Sequence, residues 1–442
     1  MRTTTTHKPK SINAFKNQLL IWSQQFDDVV WLDSNNHKSK YANYDAVLAV
    51  DAFTSIQTDY TNGFMKLKEY QSITNDWIFG YLTYDLKNDV EELKSANRDG
   101  LAFPDLCFFQ PKKIFLIKGK TVKIKYLNAV EEELEEDLKA IHSLTECHTE
   151  PFDCVPGKLD RKVSEKPIKI KLRIHKDEYF RKLDKMLAHI HRGDIYEANF
   201  CQEFYAEETE INPLETYNKL NAISQAPFAT FRKMNDKYVL SASPERYIKK
   251  KGSTVISQPI KGTAKRSADA NEDQALKYEL RHDDKERSEN IMIVDLVRND
   301  LSKTAKKGSV KVKELCKIYS FDQVHQMIST VVSKVKKTTH PVDIIQTTFP
   351  MGSMTGAPKV SAMQVIEDLE ETKRGVYSGA VGYFSPKGNF DFNVVIRSIL
   401  YNATNKYVSY SVGGAITAKS VPLKEYEECL VKAKAMREVL EN

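Results

Sequence analysis

Leu423-Lys424-Glu425-Tyr426-Glu427-Glu428-Cys429-Leu430-Val431-Lys432-Ala433-Lys434-Ala435-Met436 carries two patterns at once. Wound at about 100° per residue, Tyr426, Cys429, Leu430, Ala433, Met436 and Leu440 share one apolar face, which predicts a helix from Leu423 to Leu440. Glu425, Glu428 and Lys432 form a stripe at the edge of that face. Such a stripe is most often a solvated surface. The same spacing recurs upstream, where Glu286, Glu289 and Ile293 fall on successive turns of a helix that continues through Val294 to Asp300. Two such stripes meeting across a cleft would suit magnesium, which takes few carboxylates, several waters and an oxygen of an anionic substrate.

Working outward, Lys176 to His191 and Asn271 to Lys303 read as helical, while Lys237 to Lys250 and Ser253 to Thr263 read as extended segments joined at Lys251-Gly252. Asn389 to Tyr401 and Lys406 to Ser411 form an expected hairpin through Asn402–Asn405, and Gly413-Gly414-Ala415 is read as the end of its strand. Before them, Ile12 to Trp22 has helical periodicity, Val47–Val50 and Ile114–Ile117 are strand-like, and Val130 to Leu144 is an acidic helix. Runs of strands and runs of helices predict an α+β fold. The charged, aperiodic stretch with Pro151, Pro156 and Gly157 reads as a linker, giving an N-terminal domain at 11–145, a linker at 146–170 and a second domain at 171–442.

Composition limits the function classes. The 442 residues are 41% hydrophobic, enough for ordinary cores without staples. Lys and Arg number 66 against 60 Asp and Glu, and the interleaved signs describe a solvated surface better than a nucleic-acid footprint. The six cysteines show no CxxC spacing, so a reducing, cytoplasmic setting is expected. With no apolar leader at Met1–Asn13 and no run of 18 apolar residues, neither export nor membrane insertion is expected. Gly352 to Lys359 lacks the spacing of a nucleotide phosphate loop. In Gln258-Pro259-Ile260-Lys261-Gly262-Thr263 a lysine stands between apolar residues and a glycine; burial beside a bound cation would free its amine as a nucleophile. His325 is ambiguous alone.

Together these segments resemble the chorismate-binding domain shared by anthranilate synthase component I, aminodeoxychorismate synthase component I, and the isochorismate and salicylate synthases. The resemblance runs from Lys176 to Leu440 through ordered blocks that include Gly193-Asp194-Ile195-Tyr196, Ser243-Pro244-Glu245, Pro259–Thr263, Glu289–Asp300, Gly352–Lys359, Val394-Val395-Ile396-Arg397, Gly413-Gly414 and Glu425–Lys432. It implies an anthranilate synthase component I-like fold of large antiparallel sheets packed together with helices outside. It also implies a magnesium site at Glu289 and Glu428, supported by Glu425 and Lys432. Arg397, Tyr377 and the Gly414 backbone would hold a substrate carboxylate, Glu245 would protonate the departing ring hydroxyl with His325 nearby, and Ser353 and Thr355 would line the pocket.

Within that family, lysine in Pro-Ile-Lys-Gly-Thr marks the aminodeoxychorismate branch, where anthranilate synthases have alanine. The resemblance thus implies that Lys261 attacks C2 of chorismate and that ammonia from a separate glutaminase subunit enters at C4, for folate biosynthesis; anthranilate synthesis is the alternative. Glu197 stands where the isochorismate and salicylate branches have a water-activating lysine and the aminodeoxychorismate branch more often has glutamine. Lys265 departs from a commoner proline. The N-terminal part resembles the family's regulatory domain loosely, through Leu32-Asp33-Ser34, and no feedback effector is predicted from it.

Overall fold

The computed structural model describes residues 1–144 and 168–441. Most of the expected linker, 146–170, lies outside them. Two long antiparallel strands, Ala46–Thr58 and Leu106–Lys118, form the hinge of the architecture. Their shared register shifts between Ala52 and Thr54, next to Asp51 at φ 61°, and opposite Pro111, which has no N–H to give to a ladder. At this bulge the two strands bend, and each contributes its halves to different arms of antiparallel sheet.

One arm pairs Asp28–Asp33, Phe228–Met234, Lys237–Ser243, Ser398–Asn402, Tyr407–Thr417 and Glu197–Ala206 in succession. The other runs through Ile78–Leu82, Ala380–Phe384, Phe390–Val394, Arg246–Lys251, Thr254–Gln258 and Val324–Lys334. Strands from before residue 145 and after residue 167 therefore pair directly with each other. Between the arms lies a core that includes Tyr81, Cys107 and Val381 from one and Cys201, Val239 and Leu400 from the other. Helices close the outer faces: Lys176–Arg192 and Pro422–Glu441 over the first arm, Asp284–Ser302 and Pro341–Thr348 over the second. The α+β architecture of packed antiparallel sheets with outer helices is thus present.

Two segments read as single strands are each split in two, because the chain changes arms there. Lys237–Ser243 belongs to the first arm and Arg246–Lys251 to the second, with Pro244-Glu245 as the corner. Phe390–Val394 and Ser398–Asn402 change arms in the opposite direction through Val395-Ile396-Arg397, with Arg397 at φ 52°. The corners brace each other: Val394 N–H donates to Glu245 O at 3.0 Å and Ala242 N–H to Arg397 O at 3.1 Å. Glu245 and Arg397 are thereby fixed where the two arms part.

Candidate active site

Lys261 owes its position to a second irregularity. Thr254–Gln258 and Ile260–Lys265 both pair with Val324–Lys334, separated by Pro259, and the register shifts between Ile260 and Thr263 with Gly262 at φ 94°. This bulge turns Lys261 out of the ladder. Asn290, on the helix Asp284–Ser302, pins it by donating to Lys261 O at 3.3 Å and Met327 O at 3.2 Å. The Lys261 ammonium donates to Glu197 Oε1 at 3.1 Å, with the two side chains 12% and 2% exposed, while Glu197 Oε2 is buried without a partner.

The uncharged amine expected at Lys261 is not what its surroundings favour. Burial alone would lower the ammonium, but the charges of Glu197 and Glu289, the hydrogen bond to Glu197 and the charge of Glu245 together raise it above the usual lysine value. Two carboxyls are raised as well, which in their case favours the uncharged form. Burial raises Glu245 to about 7 against the opposing hydrogen bond with Ser353 and the charge of Lys261. Burial also raises Glu289 to about 7, with Lys261 opposing and Glu197 and Glu286 adding to the rise.

The final helix brings its stripe to the same place. It spans Pro422–Glu441 and packs Tyr426, Cys429, Ala433 and Met436 inward. Gly414 lies within the strand Tyr407–Thr417, three residues before its end. Its missing side chain leaves the room: a Cβ there would stand 3.3 Å from Glu425 Oε2, 3.7 Å from Glu428 Oε1 and 3.9 Å from Lys432 Nζ. Lys432 donates to Gly413 O at 2.9 Å and pairs with Glu428 at 2.6 Å. Burial pushes Glu428 up, but Lys432, Lys285 and Lys261 bring it below the usual carboxylate value.

Arg397, desolvated and held below the usual arginine value, makes no side-chain hydrogen bond among the described residues and borders a cavity of about 200 Å³ shared with Lys432 and Thr263. Tyr377 and Glu428 both act on it electrostatically, so a free guanidinium fork stands beside the cluster. Tyr377 itself is 4% exposed and accepts the Cys201 thiol at 3.8 Å. Ser353 reaches Glu245. The Thr355 hydroxyl is turned back onto Met351 O and Gly352 O. A larger cavity, about 380 Å³, lies against Leu32, Asp33, Ser34, Arg246 and Asp391 and contains none of the carboxylate cluster.

His325 departs from its expected role. Its Nδ1 meets Ser320 Oγ at 2.9 Å and its Nε2 meets Asp273 Oδ1 at 3.0 Å, so both ring nitrogens are engaged away from Glu245 and Lys261. Glu286, read with Glu289 as one carboxylate stripe, lies 3.1 Å from where a Gly262 Cβ would be. Two further residues of the site were not singled out as functional from sequence: Asn290 holds the bulge, and the Lys285 ammonium stands between Glu289 and Glu425. Only the i, i+4 spacing of Lys285 and Glu289 hinted at the last.

Six carboxyl groups (Glu197, Glu245, Glu286, Glu289, Glu425 and Glu428) thus face Lys261, Lys285, Lys432 and Arg397, so the acidic groups outnumber the basic ones by two, with Glu245 and Glu289, at about 7, carrying only part of their charge near neutrality. No three His, Cys, Asp or Glu side chains among the described residues stand in ready metal-binding geometry. Still, Glu289 Oε1 is buried without a hydrogen-bond partner, and hard carboxylate oxygens are the donors magnesium prefers. The donor set fits a dication.

Residues 21–438 match the family model described as chorismate binding enzyme. An aminodeoxychorismate synthase of Streptomyces griseus is 36% identical over 83% of this chain and 50% of its own length. Anthranilate synthase component 1 of Acetivibrio thermocellus is 32% identical over 83% of this chain and 75% of its own length. The chain therefore spans about half the length of the first relative. The crystal structure of anthranilate synthase component I from Streptococcus pneumoniae superposes with a TM-score of 0.76 at 26% identity, covering 91% of this chain and 93% of that one.

Proposed function

The chain belongs to the chorismate-binding enzyme family, and from that premise we propose that it is the synthase component that converts chorismate and ammonia to 4-amino-4-deoxychorismate, the precursor of para-aminobenzoate for folate. One observation carries the choice: the lysine of the Pro259–Thr263 block projects from its bulge into the carboxylate cluster, 3.1 Å from Glu197. A nucleophile is needed there for covalent amination and is not needed for anthranilate.

Lys261 passes a proton to Glu197 and its amine attacks C2 of chorismate, while Glu245 protonates the 4-hydroxyl, which leaves as water. Ammonia then attacks C4 and expels the Lys261 amine, which recovers its proton from Glu197; the new ammonium returns a proton to Glu245. Splitting one difficult displacement into two easier ones is the gain of the covalent route. Arg397 holds a substrate carboxylate with its free fork, and the Gly414 backbone lies beside it. Glu289 and Glu428, with Glu425 and Glu286 next to them, would hold magnesium, which supplies charge stabilisation for the ring carboxylate when bound. The ammonia comes from a separate glutaminase subunit, in keeping with relatives named as component 1.

Anthranilate synthesis is the competing reading, since relatives of both names match over comparable lengths. Purified protein with chorismate, magnesium and an ammonium salt decides between them by mass spectrometry. The 4-amino compound supports the proposal; ortho-aminobenzoate with pyruvate, and no 4-amino product, refutes it.

A further inference from the structure

Lys285 lies in the first turn of the helix Asp284–Ser302, one turn before Glu289. Its ammonium lies 3.8 Å from Glu289 Oε1 and 3.7 Å from Glu425 Oε1. The two carboxylates come from different helices and are 8% and 4% exposed. Both separations exceed hydrogen-bond length, so charge alone keeps the ammonium between them. The Lys285 side chain also retains 41% of its surface. A flexible four-carbon stem on that exposed side can carry the head group into water with little desolvation or strain.

Magnesium draws carboxylate oxygens to about 2.0–2.1 Å, and an ammonium between the same oxygens prevents that approach. We propose that Lys285 is a displaceable counter-ion of the cation site: it neutralises Glu289 and Glu425 until a dication takes their oxygens, and the side chain then swings out to solvent. The proposal rests on reading these carboxylates as a cation site. It implies that Lys285 competes with the metal, so that the affinity is weaker than the carboxylates alone would give. It also implies that the cluster without either cation is internally repulsive.

Calorimetric titration of magnesium into the full chain tests this, comparing the unaltered protein with Lys285→Met and Lys285→Arg and following thermal unfolding with and without the ion. Lys285→Met should bind magnesium about fivefold or more tightly, melt at lower temperature without it and gain more from its addition. Lys285→Arg, which keeps the charge, should stay within about twofold of the unaltered protein. Lys285→Gln, neutral and similar in length, carries the same comparison should the methionine variant not fold. Equal or weaker affinity in the neutral variants overturns the counter-ion role while leaving the cation site standing. Binding that Glu289→Gln leaves unchanged, or no binding in any of the proteins, overturns the cation site and the proposal with it.

Discussion

Glu245 is turned into the cleft by the Pro244 corner, and burial raises its carboxyl to about 7 against the pull of Ser353 and Lys261. A group at that value is a proton donor on the acid side of neutrality and an acceptor on the basic side, which suits the two halves of the proposed cycle. For the free enzyme, kcat/KM should therefore fall as pH rises above about 7, approaching tenfold per unit. Glu245→Gln should flatten that limb and lower the rate by about 10²–10⁴; a profile that keeps its alkaline limb in the variant assigns the ionisation elsewhere. Lys261→Ala should abolish 4-amino product while its circular dichroism stays unchanged. Unaltered turnover in that variant removes the covalent step. Both residues were legible because their types and order match the family blocks. The charge state of Lys261 was not, because it depends on Glu197, 64 positions away in sequence and 3.1 Å away in space.

At the scale of elements, the helix Asp284–Ser302 serves two ends: Ile293, Val294 and Leu301 anchor it in the core while its first turns carry Lys285, Glu286 and Glu289 to the cleft. Asn290 joins these tasks by holding the carbonyls of Lys261 and Met327 and accepting the Ser329 hydroxyl. Asn290→Ala leaves these buried groups unpaired, at a cost of about 1–3 kcal/mol. Denaturant unfolding should show that loss, and the freed bulge should lower kcat more than it changes the KM for chorismate. Helices of this kind were visible in the sequence because their apolar spacing and caps are local; within the stretch Asn271 to Lys303 that reads as helical, Asp283 accepts Glu286 N–H at 2.9 Å and separates Ala270–His282 from Asp284–Ser302. The arm-changing corners were not visible. Val395-Ile396-Arg397 interrupts a run whose apolar residues resume at once in Ile399-Leu400-Tyr401, since both arms bury their strands, and Pro244 in Ser243-Pro244-Glu245 marks a break without recording that the chain changes arms there. Periodicity reports burial and carries no record of which strand is the neighbour.

Across the whole molecule, crowding six carboxylates at the seam of two sheets stores a pH dependence in the fold. Glu245 and Glu289 sit at about 7 in the folded chain and near their ordinary value of about 4.5 when unfolded. Between those values the folded state binds more protons than the unfolded one, so these two groups make stability fall as pH rises from about 4.5 to about 7, with the full penalty present above the upper value. A dication bound to Glu289 should lift part of that penalty, and its own affinity should weaken below pH 7 as the carboxyl protonates. Thermal melts of the unaltered protein and Glu289→Gln from pH 5 to pH 8 isolate the contribution. The variant's melting temperature, relative to the unaltered protein without magnesium, should climb as pH rises from 5 towards about 7 and level off above it, and saturating magnesium should narrow the gap by stabilising only the unaltered protein. A gap that stays constant with pH would mean that Glu289 ionises alike in the folded and unfolded chains, and that the seam does not carry the surplus charge on this helix.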